Sequence, residues 1–170
     1  MNDSRLNFDG HAGVPDPEGL TAPITTPQKP FFPLRRNATM ELQTTRANLV
    51  QAIRAYRVDE LMNAAEAAGQ HFLYANLGSA QSKQDVLDGI AAAFLFPAHF
   101  GKNLDALYDC MTDLVHKSGQ QPGFVVVLEQ LPDNPRFDRE AREQLLEVFR
   151  DAAEFWGERR IPFRCFYSFQ

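Results

Sequence analysis

A chain of 170 residues, 44% hydrophobic and 23% charged, can bury one core of ordinary size and carry an appendage. Those proportions exclude a collagen-like chain, a wholly disordered one and a disulfide scaffold, and no apolar run approaches the roughly 20 residues that span a bilayer. Seventeen basic against 22 acidic residues leave a net charge of −5, so the chain has no general attraction for nucleic acid, and a charged partner is expected to be basic.

Residues 1–39 read as a disordered or draped tail. Pro15, Pro17, Pro23, Pro27, Pro30 and Pro33 interrupt it, and its apolar residues follow neither a helical nor a strand period. Residues 40–69 form a connector with an extra strand and helix. Leu49–Val58 suits either a helix, through Val50, Ile53 and Tyr56 or Arg57, or an edge strand; a strand over 51–57 is the expectation. Asp59 is placed to cap a helix from Glu60 to Ala68, with Gly69 at its C-terminal end. The glycine-bounded, aromatic run His71–Leu77 predicts a strand, and Ser82 predicts the cap of a helix from Lys83 to Phe94. A second helix is expected from Asn103 to about His116. Phe124–Leu128, continuously apolar, reads as a buried central strand. An amphipathic helix from Arg139 to Trp156 and a strand over Phe163–Tyr167 complete the chain.

Strands separated by helices require crossovers and hence a parallel sheet, so residues 70–170 are expected to form an α/β domain on three parallel strands. No secretory signal is visible in Met1–Gly10, and a cytoplasmic protein is expected. There Cys110 and Cys165, too few and too far apart for a zinc site, read as buried thiols.

The helix after Gly101 carries the functional signal. At roughly 100° per residue, Leu104, Leu107, Cys110, Met111 and Leu114 share one face, which faces the core. Asp105, Asp109 and Asp113 share the opposite face, with Tyr108 and Thr112 beside them. Each neighbouring carboxylate pair costs about 0.2–0.5 kcal/mol of helix stability, and no lysine or arginine lies between Asn103 and Asp113 to offset it. A solvated acidic face is the plain alternative. Uncompensated repulsion, with an aromatic ring and a hydroxyl among the charges, instead suits a basic, hydrogen-bonding partner.

The run from Phe96-Pro97-Ala98-His99-Phe100-Gly101-Lys102-Asn103 through Leu104-Asp105-Ala106-Leu107-Tyr108-Asp109-Cys110-Met111-Thr112-Asp113-Leu114 resembles the signature of the barstar family, intracellular inhibitors of ribonucleases such as barnase. The order of strands and helices from about 71 to 170 agrees with it, whereas the first 50 or so residues have no counterpart. The resemblance implies a barstar-like three-stranded parallel sheet packed with helices, and a helix and its preceding loop that plug a nuclease active site. Asp109 matches the family's central aspartate, which occupies a phosphate site and pairs with arginine and histidine groups. Asp105, Thr112 and, later in the chain, Asp151 match further contact positions, and Asn103 lies in the same loop-to-helix corner. Gly101 would permit a close chain approach or a positive φ at the turn.

His99, Tyr108 and Leu114 depart from the family's usual aromatic contacts, and Phe155 falls near a position where a second acidic residue is expected. A target other than barnase follows from these changes. The implied partner is a basic ribonuclease or similar enzyme, bound through His99, Asn103, Asp105, Tyr108, Asp109, Thr112, Asp113 and Asp151. No cofactor, direct nucleic-acid contact or membrane contact is expected, and the free protein is expected to be a monomer.

Rival readings are an adaptor on the same scaffold with the tail as its working part, and a divalent-cation site built from Asp109, Asp113 and His116. An enzyme would need a nucleophile and base. Cys110 is expected on the core face, and no glycine-rich phosphate loop or nucleophile elbow is present, so no catalytic activity is expected.

Overall fold

The computed structural model describes Leu42, residues 46–114 and residues 119–170; the tail and His116 lie outside the described residues. In chain order the elements are β1 (Leu49–Ala52), α1 (Val58–Ala67), β2 (His71–Asn76), α2 (Lys83–Ala93), α3 (Leu104–Thr112), β3 (Phe124–Leu131), α4 (Arg139–Glu158) and β4 (Phe163–Phe169). Local chemistry sets most of the boundaries. Ser82 Oγ accepts the Asp85 N–H at 3.2 Å while the Asp85 carboxylate accepts the Ser82 N–H at 3.0 Å, a reciprocal cap that starts α2. Asp138 starts α4 by accepting from the Ala141 N–H at 2.9 Å. Gly69, at φ +64°, follows the end of α1 in the left-handed conformation that a side chain disfavours. Val58, one residue before Asp59, opens α1, so Asp59 lies in its first turn and does not cap it.

The sheet is α/β in class and wholly parallel, as expected, but it has four strands rather than three, in the order β1-β4-β3-β2. The added strand comes from the connector: Leu49 pairs with Arg164 and Ala52 with Tyr167. It is shorter and earlier than the expected 51–57, because the chain bends at Arg54 and Ala55 after the Ile53 N–H bonds the Tyr167 carbonyl at 2.7 Å.

The connections account for the layers. From β1 the chain crosses to the far edge, placing α1 on one face; it then returns through β2, β3 and β4 with α2, α3 and α4 on the other. A fixed crossover hand requires that reversal of faces. Strand alternation divides the core accordingly. Leu73, Ala75, Phe124, Val126, Leu128, Phe163 and Cys165 join the large cluster under α2, α3 and α4. Val125, Val127 and Phe166 face the other way, onto Leu61, Ala64 and Ala65 of α1 and onto Leu42. Arg164 is buried on this side, and its guanidinium donates to the Leu42 carbonyl at 2.6 Å.

No helix among the described residues is long and apolar enough to cross a membrane.

Candidate functional site: an acidic groove between α3 and α4

Two helices with apolar inner faces pack side by side, and their outer faces converge. Leu107 and Met111 anchor α3, while Leu145, Val148, Phe149, Ala152 and Trp156 anchor α4. Trp156 ties the pair together. Its ring lies 4.9 Å from that of Phe124 on β3, and its buried Nε1–H donates to the Met111 carbonyl at 2.9 Å. Trp156 thus packs α4 on the sheet and also sets the spacing of α4 from α3.

The turn into α3 is equally constrained. Asn103 Oδ1 accepts the Ala106 N–H at 2.7 Å, and its Nδ2 donates to the Gly101 carbonyl at 3.2 Å, so the side chain works as the helix cap. Lys102, not Gly101, adopts the positive φ, +51°. Gly101 serves close approach instead, since a β-carbon there would sit 3.3 Å from Asn103 Nδ2.

Between the helices lies an open groove of about 700 Å³. Asp105 and Asp109 line it from α3, and Asp151, Glu154 and Glu158 line it from α4, with Tyr108 and Phe155 among the charges. The spacing of 151, 154 and 158 puts three carboxylates on one face of α4, as 105 and 109 do on α3. Two of the nearby cations are drawn elsewhere, and the third stays at the groove's edge. Lys102 pairs with Asp88 of α2 at 3.1 Å. Arg150 binds Glu147 at 2.9 Å and Glu143 at 3.3 Å, and those carboxylates hold its guanidinium above its ordinary pKa. Arg159 lies over the Phe155 ring at 3.5 Å, donates to the Phe155 carbonyl at 2.9 Å and is 4.0 Å from Glu158, so it offsets the charge of that one carboxylate only. The lining is left with negative charge and aromatic surface, an arrangement that favours cations able to donate several hydrogen bonds.

The structure brings together some of the expected site residues and separates others. Asp105, Tyr108, Asp109 and Asp151 share the groove. Thr112 lines a neighbouring hollow with Phe155 and Trp156, and its hydroxyl donates to the Tyr108 carbonyl at 2.9 Å within its own helix. Asp113 is the exposed C-terminal cap residue of α3, and His99 is exposed in the loop before the helix; neither lines the groove. Asn103 stands at the N-terminal end, occupied in capping. Glu154 and Glu158 were not among the expected residues. They flank Phe155, so carboxylates do reach the part of the groove where Phe155 suggested a missing charge. Their signal was the repeat Asp151, Glu154, Phe155, Glu158 at helical spacing.

Cys165 is fully buried, and burial pushes its thiol pKa up, which keeps it unreactive. Cys110 is only half-buried, a correction to the buried pair expected. Among the described residues, no three His, Cys, Asp or Glu side chains converge closely enough to hold a metal ion; His116, part of the expected cation set, lies outside them.

The family described as Barstar (barnase inhibitor) matches residues 70–168, from the start of β2 through β4, including both helices of the groove. β1 and α1 precede the matched span. No curated protein matches the chain.

Proposed function

The chain belongs to the Barstar family, and from that premise we propose that it is a non-catalytic protein inhibitor that blocks the basic active site of a ribonuclease. The observation carrying this reading is the groove itself. Five carboxylates from two helices face one opening, while Lys102 and Arg150 are engaged away from it and Arg159 is held at its edge, over the Phe155 ring and 4.0 Å from Glu158. A ribonuclease must hold phosphate with basic groups, and a surface that presents carboxylates at matching points competes for the same groups.

In this reading Asp109, midway along α3, takes the place of the substrate phosphate. Asp105 and Asp151 approach from either side, and Tyr108 and Phe155 exclude water from the ion pairs, which strengthens them. His99 and Asp113 act at the rim, Thr112 adds a polar contact at the α3 end, and Asn103 holds α3 in register. Trp156 is the positioning residue, since it fixes the distance between the two carboxylate rows.

The test is a pull-down from native cell extract with wild-type protein and Asp109→Ala in parallel, at low and high salt. Recovery of a basic ribonuclease by the wild type, weakened by salt and lost with Asp109→Ala, is the expected result. A partner retained equally by both proteins would overturn the phosphate-mimic mechanism; dependence of that partner on residues 1–39 would favour an adaptor.

A further inference from the structure

On the other side of the sheet, away from the groove, a second crevice of about 560 Å³ opens at the carboxyl ends of the strands. Ile53, Tyr56 and Arg57 from the turn after β1, with Val58 and Asp59 of α1, form one wall; Glu129 of β3 and Ser168 of β4 form the other. Only the junction of the added strand and helix with the matched sheet creates this space, because the first wall precedes residue 70. Its position is also where parallel sheets hold ligands. β1 sends its connection to one face and β3 to the other, and the crevice lies outside the carboxyl ends between them.

The backbone at this point departs from regular strand geometry. Gln130 has φ +60°, an unusual conformation for a residue with a side chain, and the β3–β4 register shifts between Leu128 and Leu131. Such bulges re-aim side chains and are favoured beside binding sites. Here the bulge sits next to Glu129. Its half-buried carboxylate accepts from the Tyr74 hydroxyl and from Asn76 Nδ2 at 3.4 Å, two neutral donors, and it forms no ion pair with a described residue. Ser168 Oγ accepts the Gln130 N–H at 3.0 Å and retains a further acceptor site. Arg57, at the mouth, is 3.5 Å from Asp59.

From this juxtaposition we infer that the crevice binds an alkylguanidinium or alkylammonium cation, its charged head on Glu129 and Ser168 and its stem against Ile53, Val58 and the Tyr56 ring. A planar guanidinium fits best, because it can fork onto a carboxylate and stack on an aromatic face. The Glu129 carboxylate raises the Tyr74 phenol above its ordinary pKa, so Tyr74 remains a protonated donor, fixing the carboxylate, throughout the neutral range.

Amide chemical shifts of the full chain test this with n-butylguanidinium, its neutral isostere butylurea, inorganic phosphate and a blocked arginine peptide as probes. Saturable shifts at residues 53–59, 129 and 168 are expected with butylguanidinium and not with butylurea or phosphate. Glu129→Gln should weaken binding at least tenfold, and Tyr56→Leu, which keeps an apolar wall, severalfold; unshifted amides elsewhere confirm that each variant is folded. Tighter binding of the peptide than of butylguanidinium would identify a protein side chain as the source, and equal or weaker binding a free guanidine or amine. Absence of saturation, equal response to butylurea, binding of phosphate instead, indifference to both substitutions, or shifts confined to the α3–α4 groove would each overturn the inference.

Discussion

The two faces of the sheet differ in how much structure stands behind each opening. The α3–α4 groove rests on the larger cluster, in which Phe124, Phe149, Phe163 and Trp156 are buried and a side-chain hydrogen bond locks one helix to the other. The crevice on the opposite face rests on Leu61, Ala64 and Ala65 of one ten-residue helix and on a four-residue edge strand. A row of like charges opposes packing, so it needs a stiff base to hold it in place. An opening lined by one half-buried carboxylate and several neutral groups carries less repulsion, and a thinner layer suffices.

That contrast can be broken by substitution, beginning with the largest expected effect. Trp156→Ala removes a buried aromatic and leaves a cavity between α3, α4 and β3, at a cost of roughly 3–5 kcal/mol in denaturant unfolding. Where the variant remains folded, its affinity for the captured ribonuclease should fall as well, because the carboxylate rows lose their spacing. Leu61→Ala sharpens the comparison from the other side. Leu61 is fully buried under α1, yet the loss should lie near about 2 kcal/mol, the low end for such a truncation, with ribonuclease affinity unchanged. Reduced affinity in Leu61→Ala would mean that the faces are mechanically coupled.

Asp109→Ala separates stability from binding. It relieves like-charge contacts with Asp105 and Asp113 and should raise unfolding stability by about 0.5 kcal/mol. Affinity should fall by at least about 2 kcal/mol, roughly thirtyfold, as for a central contact residue. Opposite signs in one variant are what a functional charge row requires; a merely solvated face would give the stability gain without the loss of affinity.

The smallest effect lies at the α2 cap, remote from both openings. The Gln81 N–H and the Ser82 side chain hold the Asp85 carboxyl below its ordinary pKa. A carboxylate depressed in the folded state adds stability above its unfolded pKa of about 3.9, and that contribution disappears as pH falls through the lower folded value. Asp85→Asn should therefore be less stable than wild type at pH 7, with the difference shrinking towards pH 2 in urea titrations.

Much of the α3–α4 side was legible in the chain because its signals are local. Ser82 marks a cap, Phe124–Leu128 an apolar strand, and Asp105 and Asp109 a shared helix face. Glu154 and Glu158 were equally local but were overshadowed by the apolar face of the same helix, whose core residues dominate its period. Asn103 was read as a contact residue, although its position directly before Leu104 is that of a cap. The other side depended on partners distant in sequence. Four residues of β1 carry no decisive period, and their strand conformation comes from pairing with β4, more than 100 residues later. That the outgoing and returning connections use opposite faces follows from the strand order, which no single segment encodes. The crevice inherits this, since its walls lie 70–115 residues apart in the chain.

Titration of the captured ribonuclease's RNA-cleaving activity with wild-type protein and with Asp109→Ala tests the central claim most directly. The account predicts stoichiometric loss of cleavage with the wild type, relieved by salt, and little inhibition by Asp109→Ala at the same concentrations. Full cleavage in a saturated wild-type complex, or equal inhibition by the two proteins, would contradict it.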